Sequence, residues 1–278
     1  MSHSPPPAVA PFDASEAKTH QNAWAEYLGL PVEKEVELPG AGKMVFMLIP
    51  PGEFMMGSTE EEQAKFLKES ESLDNVTYHK RILAEDPQHF TRITQPFYLE
   101  HLSNWFAGSA SWRTAFLLEK YVLHGHTVEQ TALGKFEVTQ IQWQSMMENN
   151  PAEHSKDETG PVDSVSWNDV QEFLTKMNTG VPNKTYQFVL PTEAQWELAC
   201  RAGTTSYWHS GNREPELHDS GWSHVNSRGK THPVGQLAAN PFGLYDIHGN
   251  VFEWCSDWYV EETYSTSPVD DPTGPPNG

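Results

Sequence analysis

Between His248 and Glu253 the chain sets an asparagine in a glycine-containing turn, His248-Gly249-Asn250-Val251-Phe252-Glu253, with a carboxylate three residues after it. Such spacing offers two side-chain oxygens with backbone carbonyls between them. Calcium takes about 6–8 hard oxygen ligands, partly from backbone. The same residues also read as a turn former, Asn250, and a solvated or paired carboxylate, Glu253. The two cysteines, Cys200 and Cys255, make no disulfide framework and read as small buried thiols more readily than as metal ligands. The 13 histidines scatter, with no His-Glu-x-x-His pair for zinc hydrolysis. His124 and His126 would point in different directions on a helix, which argues against a metal site there. Neither a glycine-rich phosphate loop nor a Gly-x-Ser-x-Gly elbow occurs.

The elements that must position these groups are short and mixed. Residues 1–11 are Pro-rich and read as disordered or linker. Asp13 predicts an N-cap for a helix to Leu28, with Ala17, Trp24 and Leu28 on one face and Gly29 then Pro31 as its stop. Residues 1–37 are therefore read as a tail with an accessory helix, and residues 38–278 as the main domain. Met44–Ile49 predicts a strand, Pro50-Pro51-Gly52 a turn and Glu53–Gly57 a returning strand. Ser58 and Thr59 followed by Glu61 and Glu62 offer a capping box for a helix to about Leu73. Arg92–Thr94, Pro96–Leu99, Gly134–Val138 and Phe188–Leu190 read as further strands. Helices are expected after Thr139, over Trp167–Met177 behind Ser166 and Asp169, and after Thr192, whose Gln195 completes another box. In this last helix Trp196 and Ala199 face the core and Gly203 ends it. The stretch 100–133 looks inserted, and its second half fits an amphipathic helix. No period of 20–50 residues repeats. The class is α+β.

Composition narrows the partners. Eighteen Lys and Arg stand against 38 Asp and Glu, a net charge of −20. That surface repels phosphate backbones and anionic lipid, so neither nucleic acid nor a membrane surface is an expected partner. No apolar run approaches the roughly 20 residues that span a bilayer. The N-terminus lacks a basic stretch followed by an apolar core, so the chain as written reads as cytoplasmic. Ten Trp, 19 Gly and 21 Pro suggest loops and aromatic packing in place of long regular elements.

Two segments are the most specific: Leu190–Gly203, and His232–Gly235 followed by Asn240–Trp258. With Ile49–Ser58, Gly134–Gln140 and Pro161–Trp167 they make the chain resemble the formylglycine-generating enzyme (sulfatase-modifying factor) family over residues ~44–278. The resemblance implies a fold akin to C-type lectins, poor in regular structure and often calcium-bound. It further implies a structural calcium site from Asn250, the Val251 carbonyl and Glu253, with Gly249 or His248 adding backbone oxygen. Asn226 matches the asparagine of the family's other calcium site, although Ser227–Thr231 is short and basic where the family's loop is acidic. Members that make formylglycine are similar to copper oxidases, with two thiolates holding Cu(I), a soft–soft pairing. Those thiols lie beyond a strand that follows the segment matched here by Asp271–Pro276, where the chain stops. Copper is thus not expected in this chain, and the C-terminus reads as incomplete. A related iron-dependent sulfoxide synthase group carries a His-x-x-x-His-x-Glu motif. Here His20–Glu26 has Trp24 in place of the second histidine, which argues against iron.

The insertion at 100–133 separates two segments that the family runs together. It reads as an extra packed helix, a partner-docking helix, a segment without function or, least well, a His124/His126 metal site. Two functions follow: a calcium-stabilised module that binds a protein or small ligand, or an oxidase of a protein cysteine completed by a further segment or a second chain.

Overall fold

The structure, a computed structural model, describes residues 3–71, 88–99, 103–104, 120–123, 126–129, 134–180, 188–258, 260 and 263–275. Its strands are β1 (Ala8–Val9), β2 (Glu33–Leu38), β3 (Gly42–Ile49), β4 (Gly52–Met56), β5 (His89–Ile93), β6 (Phe97–Leu99), β7 (Ser103–Asn104), β8 (Lys120–Leu123), β9 (His126–Glu129) and β10 (Phe252–Glu253). Its α-helices are α1 (Ala14–Leu28), α2 (Glu60–Glu71), α3 (Gln140–Met147), α4 (Trp167–Gly180), α5 (Glu193–Arg201) and α6 (Glu214–Leu217). Two small sheets carry most of the pairing, in the orders β1-β4-β5 and β2-β3-β6, and the pairs β7–β10 and β8–β9 stand beside them.

Helix starts follow the local chemistry of the sequence. Asp13 with Glu16, Thr139 with Gln142 and Thr192 with Gln195 all form reciprocal capping boxes. Thr59 and Glu62 exchange the same two bonds ahead of α2 (2.6 and 3.2 Å), as do Ser166 and Asp169 ahead of α4. Each box satisfies backbone N–H groups that a helix start leaves without partners. Around them a single apolar core runs through β3, α3, α4, α5 and the 242–247 loop, with Trp143 stacked on Phe173 at 5.0 Å between α3 and α4. No described helix is long and apolar enough to cross a membrane.

Three expectations are corrected. The Pro-rich start is ordered into the fold: Ala8 and Val9 pair in parallel with Gly52 and Glu53, and Phe12 packs on Phe242 and Gly203. Nor is α1 an accessory. Its buried Gln21 donates to the carbonyls of Leu48 (2.8 Å) and Phe242 (3.0 Å), so one side chain ties α1 to β3 and to the distant 240s loop. Proline-rich composition masked this because the apolar anchors, Ala8 and Phe12, find partners far along the chain, at Gly52, Gly203 and Phe242. Within 100–133, Lys120–Leu123 and His126–Glu129 pair as an antiparallel hairpin where a helix was expected. A short apolar run does not distinguish the two by itself. The rest of that expected helix, and His124, lie outside the described residues. Phe188 makes a further difference, since Asn178 takes both its N–H and its C=O at 2.6 Å where a strand neighbour would.

Gln21→Ala should lower unfolding free energy by about 1–3 kcal/mol, because it strips partners from two buried carbonyls. Urea melts of wild type and variant measure this, and an unchanged midpoint would mean α1 is peripheral.

Candidate functional site

The candidate site is built around α5, which is buried from Ala194 through Arg201. A helix sunk on all sides must satisfy its polar side chains internally. Glu197 and Arg201, one turn apart, form an ion pair at 2.7 Å. Glu197 Oε1 also accepts from the Gly57 N–H (3.1 Å), and Arg201 donates to the Gly57 carbonyl (3.0 Å). The pair thus grips both backbone polar groups of one residue just past β4 and joins two motifs that stand 140 residues apart in sequence. At the other end of α5, Asn240 donates to the Ala199 carbonyl at 2.7 Å and the Cys200 carbonyl at 3.3 Å. Its oxygen accepts from Phe242 and Leu244 N–H groups, both at 3.1 Å, closing its own loop. From the middle of the helix, the Trp196 indole donates to Glu253 Oε2 at 2.7 Å.

The 246–253 loop locks into the 221–232 loop. Asn250, at φ +60°, accepts from the His232 N–H (2.9 Å) and donates to the His232 carbonyl (3.0 Å) and Glu137 Oε2 (2.7 Å). Glu137 Oε1 accepts from the Val251 N–H at 3.2 Å. Gly249 sits at φ +150° against the Trp222 carbonyl, where a Cβ would come within 2.1 Å of the oxygen. The two loops also meet at Gly221, whose Cβ would fall 2.4 Å from the His248 carbonyl. The Trp222 and His232 rings stack at 3.8 Å beside this crossing. Asn226 holds its own turn, accepting from the Ser223 N–H at 2.7 Å and donating to the Gly221 carbonyl at 3.0 Å.

Three carboxylates are buried in this region: Glu137 (1% exposed), Asp246 (1%) and Glu253 (4%). Burial pushes the Glu137 carboxyl well above the usual carboxylate range, and the charges of Asp246 and Glu253 push it further; the bonds from Asn250 and Val251 pull it partly back. Asp246 receives the Gly235 N–H at 2.6 Å.

Asn250, Val251, Gly249 and Glu253 therefore share one short loop, while Asn226 stands on the neighbouring turn. All their donor atoms are oxygens, the right kind for a hard cation. The amide oxygens of Asn250 and Asn226 are engaged by backbone N–H groups, so an ion at either would share that oxygen. Among the described residues no group of three or more His, Cys, Asp or Glu side chains is gathered to hold a metal.

Both cysteines are buried and neither forms a disulfide. Cys200 Sγ lies 3.5 Å from His248 Nδ1, and His248 Nε2 accepts from the His209 N–H at 3.0 Å, which fixes the neutral ring with its proton on Nδ1. His209 stacks on His248 at 4.8 Å, and burial lowers its pKa to about 4. The carbonyl of Cys255 accepts from the Trp167 indole at 3.2 Å.

Sequence reasoning singled out Asn250 and Glu253 and gave no role to Glu137, Asn240 or the Glu197–Arg201 pair. The i,i+4 spacing of the last was a readable signal. Glu137 gave none, because its partners are more than 110 residues away.

Fold and site together define a loop-rich α+β scaffold whose sequence motifs are its joints. The profile of the sulfatase-modifying factor enzyme 1-like domain matches residues 32–274, and the chain belongs to that family. It is 34% identical to a formylglycine-generating enzyme of Streptomyces coelicolor, over 42% of this chain and 38% of that one. Against the Thermomonospora curvata enzyme identity is 35%, over 42% and 41%. A Paenibacillus barcinonensis protein named chaperone protein LppX is 32% identical over 48% of this chain and 64% of its own. The chain thus spans less than two thirds of each of these relatives. Among solved structures, Treponema denticola variable protein 1 superposes with a TM-score of 0.58 at 24% identity, covering 88% of this chain and 84% of that one. PvdO from Pseudomonas aeruginosa gives 0.54 at 18%, covering 87% and 80%. These likenesses show the fold.

Arg201→Ala should cost about 3–5 kcal/mol, since it leaves Glu197 as an uncompensated buried charge. The double variant Glu197→Gln/Arg201→Met should recover part of that loss in chemical denaturation. A single variant as stable as wild type would show that the clamp on Gly57 is dispensable.

Proposed function

We propose that this chain is a binding module of the sulfatase-modifying-factor family, presenting its loops to a protein or small-molecule partner. The observation that carries this reading is the state of its two sulfurs. Cys200 is buried in α5 against His248, and Cys255 is buried behind Trp167. A Cu(I) centre needs two thiolates that face one ion; these two sit in different surroundings. The cytoplasm is the proposed location, with which reduced thiols agree. The runner-up is oxidation of a protein cysteine, favoured by the 34–35% identity to formylglycine-generating enzymes and requiring thiols supplied by a further segment or a second chain.

Calcium is the second part of the proposal. Its support is the match of Asn250, Val251 and Glu253 to the calcium-site pattern read from the sequence, together with the like charges of Asp246 and Glu253 that act on buried Glu137. A divalent cation there would offset like charges that are expensive in a low dielectric.

Two experiments test the two parts. Cu(I) titration with oxygen uptake on a cysteine-containing peptide should show neither stoichiometric copper nor turnover; finding both would install the oxidase reading. Thermal melts should shift upward with calcium and downward with chelator, since a ligand bound only to the folded form stabilises it. Glu253→Ala should abolish that shift, and a wild-type melt indifferent to chelator would remove calcium from the account.

A further inference from the structure

His232 ties together three parts of the loop region. Its backbone N–H and C=O are both held by the Asn250 side chain, at 2.9 and 3.0 Å. Its ring lies flat on Trp222, with centroids 3.8 Å apart and planes 11° from parallel. At the ring edge, Nε2 meets the Ser227 carbonyl at 2.8 Å; a carbonyl only accepts, so Nε2 carries a proton. One residue thereby connects the 246–253 loop, Trp222 and the turn that runs from Ser223 to Ser227.

That turn is where the family resemblance sets a second calcium ion, on Asn226, and the residues here do not fit one. Calcium is held by hard oxygens, and its affinity depends on how many of them are charged. Between Gly221 and His232 the chain carries no carboxylate, and it exposes two cations, Arg228 and Lys230. The Asn226 side-chain oxygen accepts from the Ser223 N–H at 2.7 Å and from the Ser223 hydroxyl at 3.3 Å, while its amide donates to the Gly221 carbonyl at 3.0 Å. The Asn226 and Ser227 N–H groups both reach the Ser223 carbonyl, at 3.2 and 2.8 Å. Every oxygen named here is taken by a donor of the chain itself. Asn250 also shares its oxygen, but its surroundings are anionic: the charges of Asp246 and Glu253 bear on Glu137, which accepts from Asn250.

We propose that the segment 223–232 is an ion-free joint, in which His232, bonded to Ser227 and stacked on Trp222, supplies the tie that the resemblance assigns to a second cation. His232 is a positioning residue in this account: its backbone is fixed by Asn250, and its ring in turn fixes the Ser227 carbonyl. The turn is therefore set by the neighbouring loop and not by an ion of its own, and the positive charges of Arg228 and Lys230 disfavour a cation beside it. The inference rests on the family membership and on these contacts; it does not require calcium at Asn250.

Two measurements on the full chain test the joint. Equilibrium dialysis against radioactive calcium, which needs no variant, should count no more than a single ion per chain, and Asn226→Ala should leave that count unchanged. A second bound ion, or a count that falls in Asn226→Ala, overturns the proposal. A count of zero would remove calcium from the Asn250 loop and agree with an ion-free turn, so the two readings fail separately. Hydrogen exchange then reads the tie itself. His232→Ala should speed exchange of the Asn226 and Ser227 amides about tenfold, the scale of one lost hydrogen bond. His232→Gln, whose side-chain amide can donate to the Ser227 carbonyl, should restore part of the protection. Exchange that is unchanged in His232→Ala, or equally fast in the Ala and Gln variants, ends the account of His232 as the tie.

Discussion

The scaffold depends on one buried ion pair holding both backbone polar groups of one residue. Glu197 and Arg201 take the N–H and the C=O of Gly57 between them, and they do so from a helix with no solvent-facing side. Without that grip, α5 would carry two charges into the core and return nothing for their desolvation. With it, the helix becomes the post to which the other motifs are fastened: Asn240 at its last carbonyls, Trp196 reaching Glu253 from its middle and Asp257 at its first amide. The most specific sequence segments are thus conspicuous for a mechanical reason as well as any chemical one.

Long regular elements are scarce, so side chains do what ladders do elsewhere. Asn250 holds its loop to His232 through two bonds and to Glu137 through a third, and Asn178 stands in for a strand neighbour of Phe188. Such joints are costly to leave half made, because a buried polar group without its partner forfeits more than a completed bond returns. That asymmetry favours one arrangement of the loops over partly undone ones.

How much of this was legible in the sequence follows from the range of each interaction. Capping boxes at Asp13, Thr59, Thr139, Ser166 and Thr192 were readable because both partners lie within four residues. The existence of strands β3 and β4 was readable because Pro50-Pro51-Gly52 announces the turn, but not that the two join different sheets. Asn250 and Glu253 could be singled out from spacing, but nothing local tied Glu137 to them, since that contact closes a loop of more than 110 residues. The N-terminal segment misled through composition: a proline-rich stretch carries two anchors, Ala8 and Phe12, whose partners at Gly52, Gly203 and Phe242 come late. The hairpin at 120–129 misled through ambiguity, as an apolar run of that length suits either period.

Val9, Glu53, Arg92 and Asp270 stand opposite one another as a single row across the β1-β4-β5 sheet and the strand-like segment at Asp270, with Arg92 ion-paired to carboxylates on both sides. Three interstrand steps of about 4.8 Å put Val9 and Asp270 roughly 14 Å apart. Two stretches some 260 residues distant along the chain therefore form the opposite rims of one narrow ribbon.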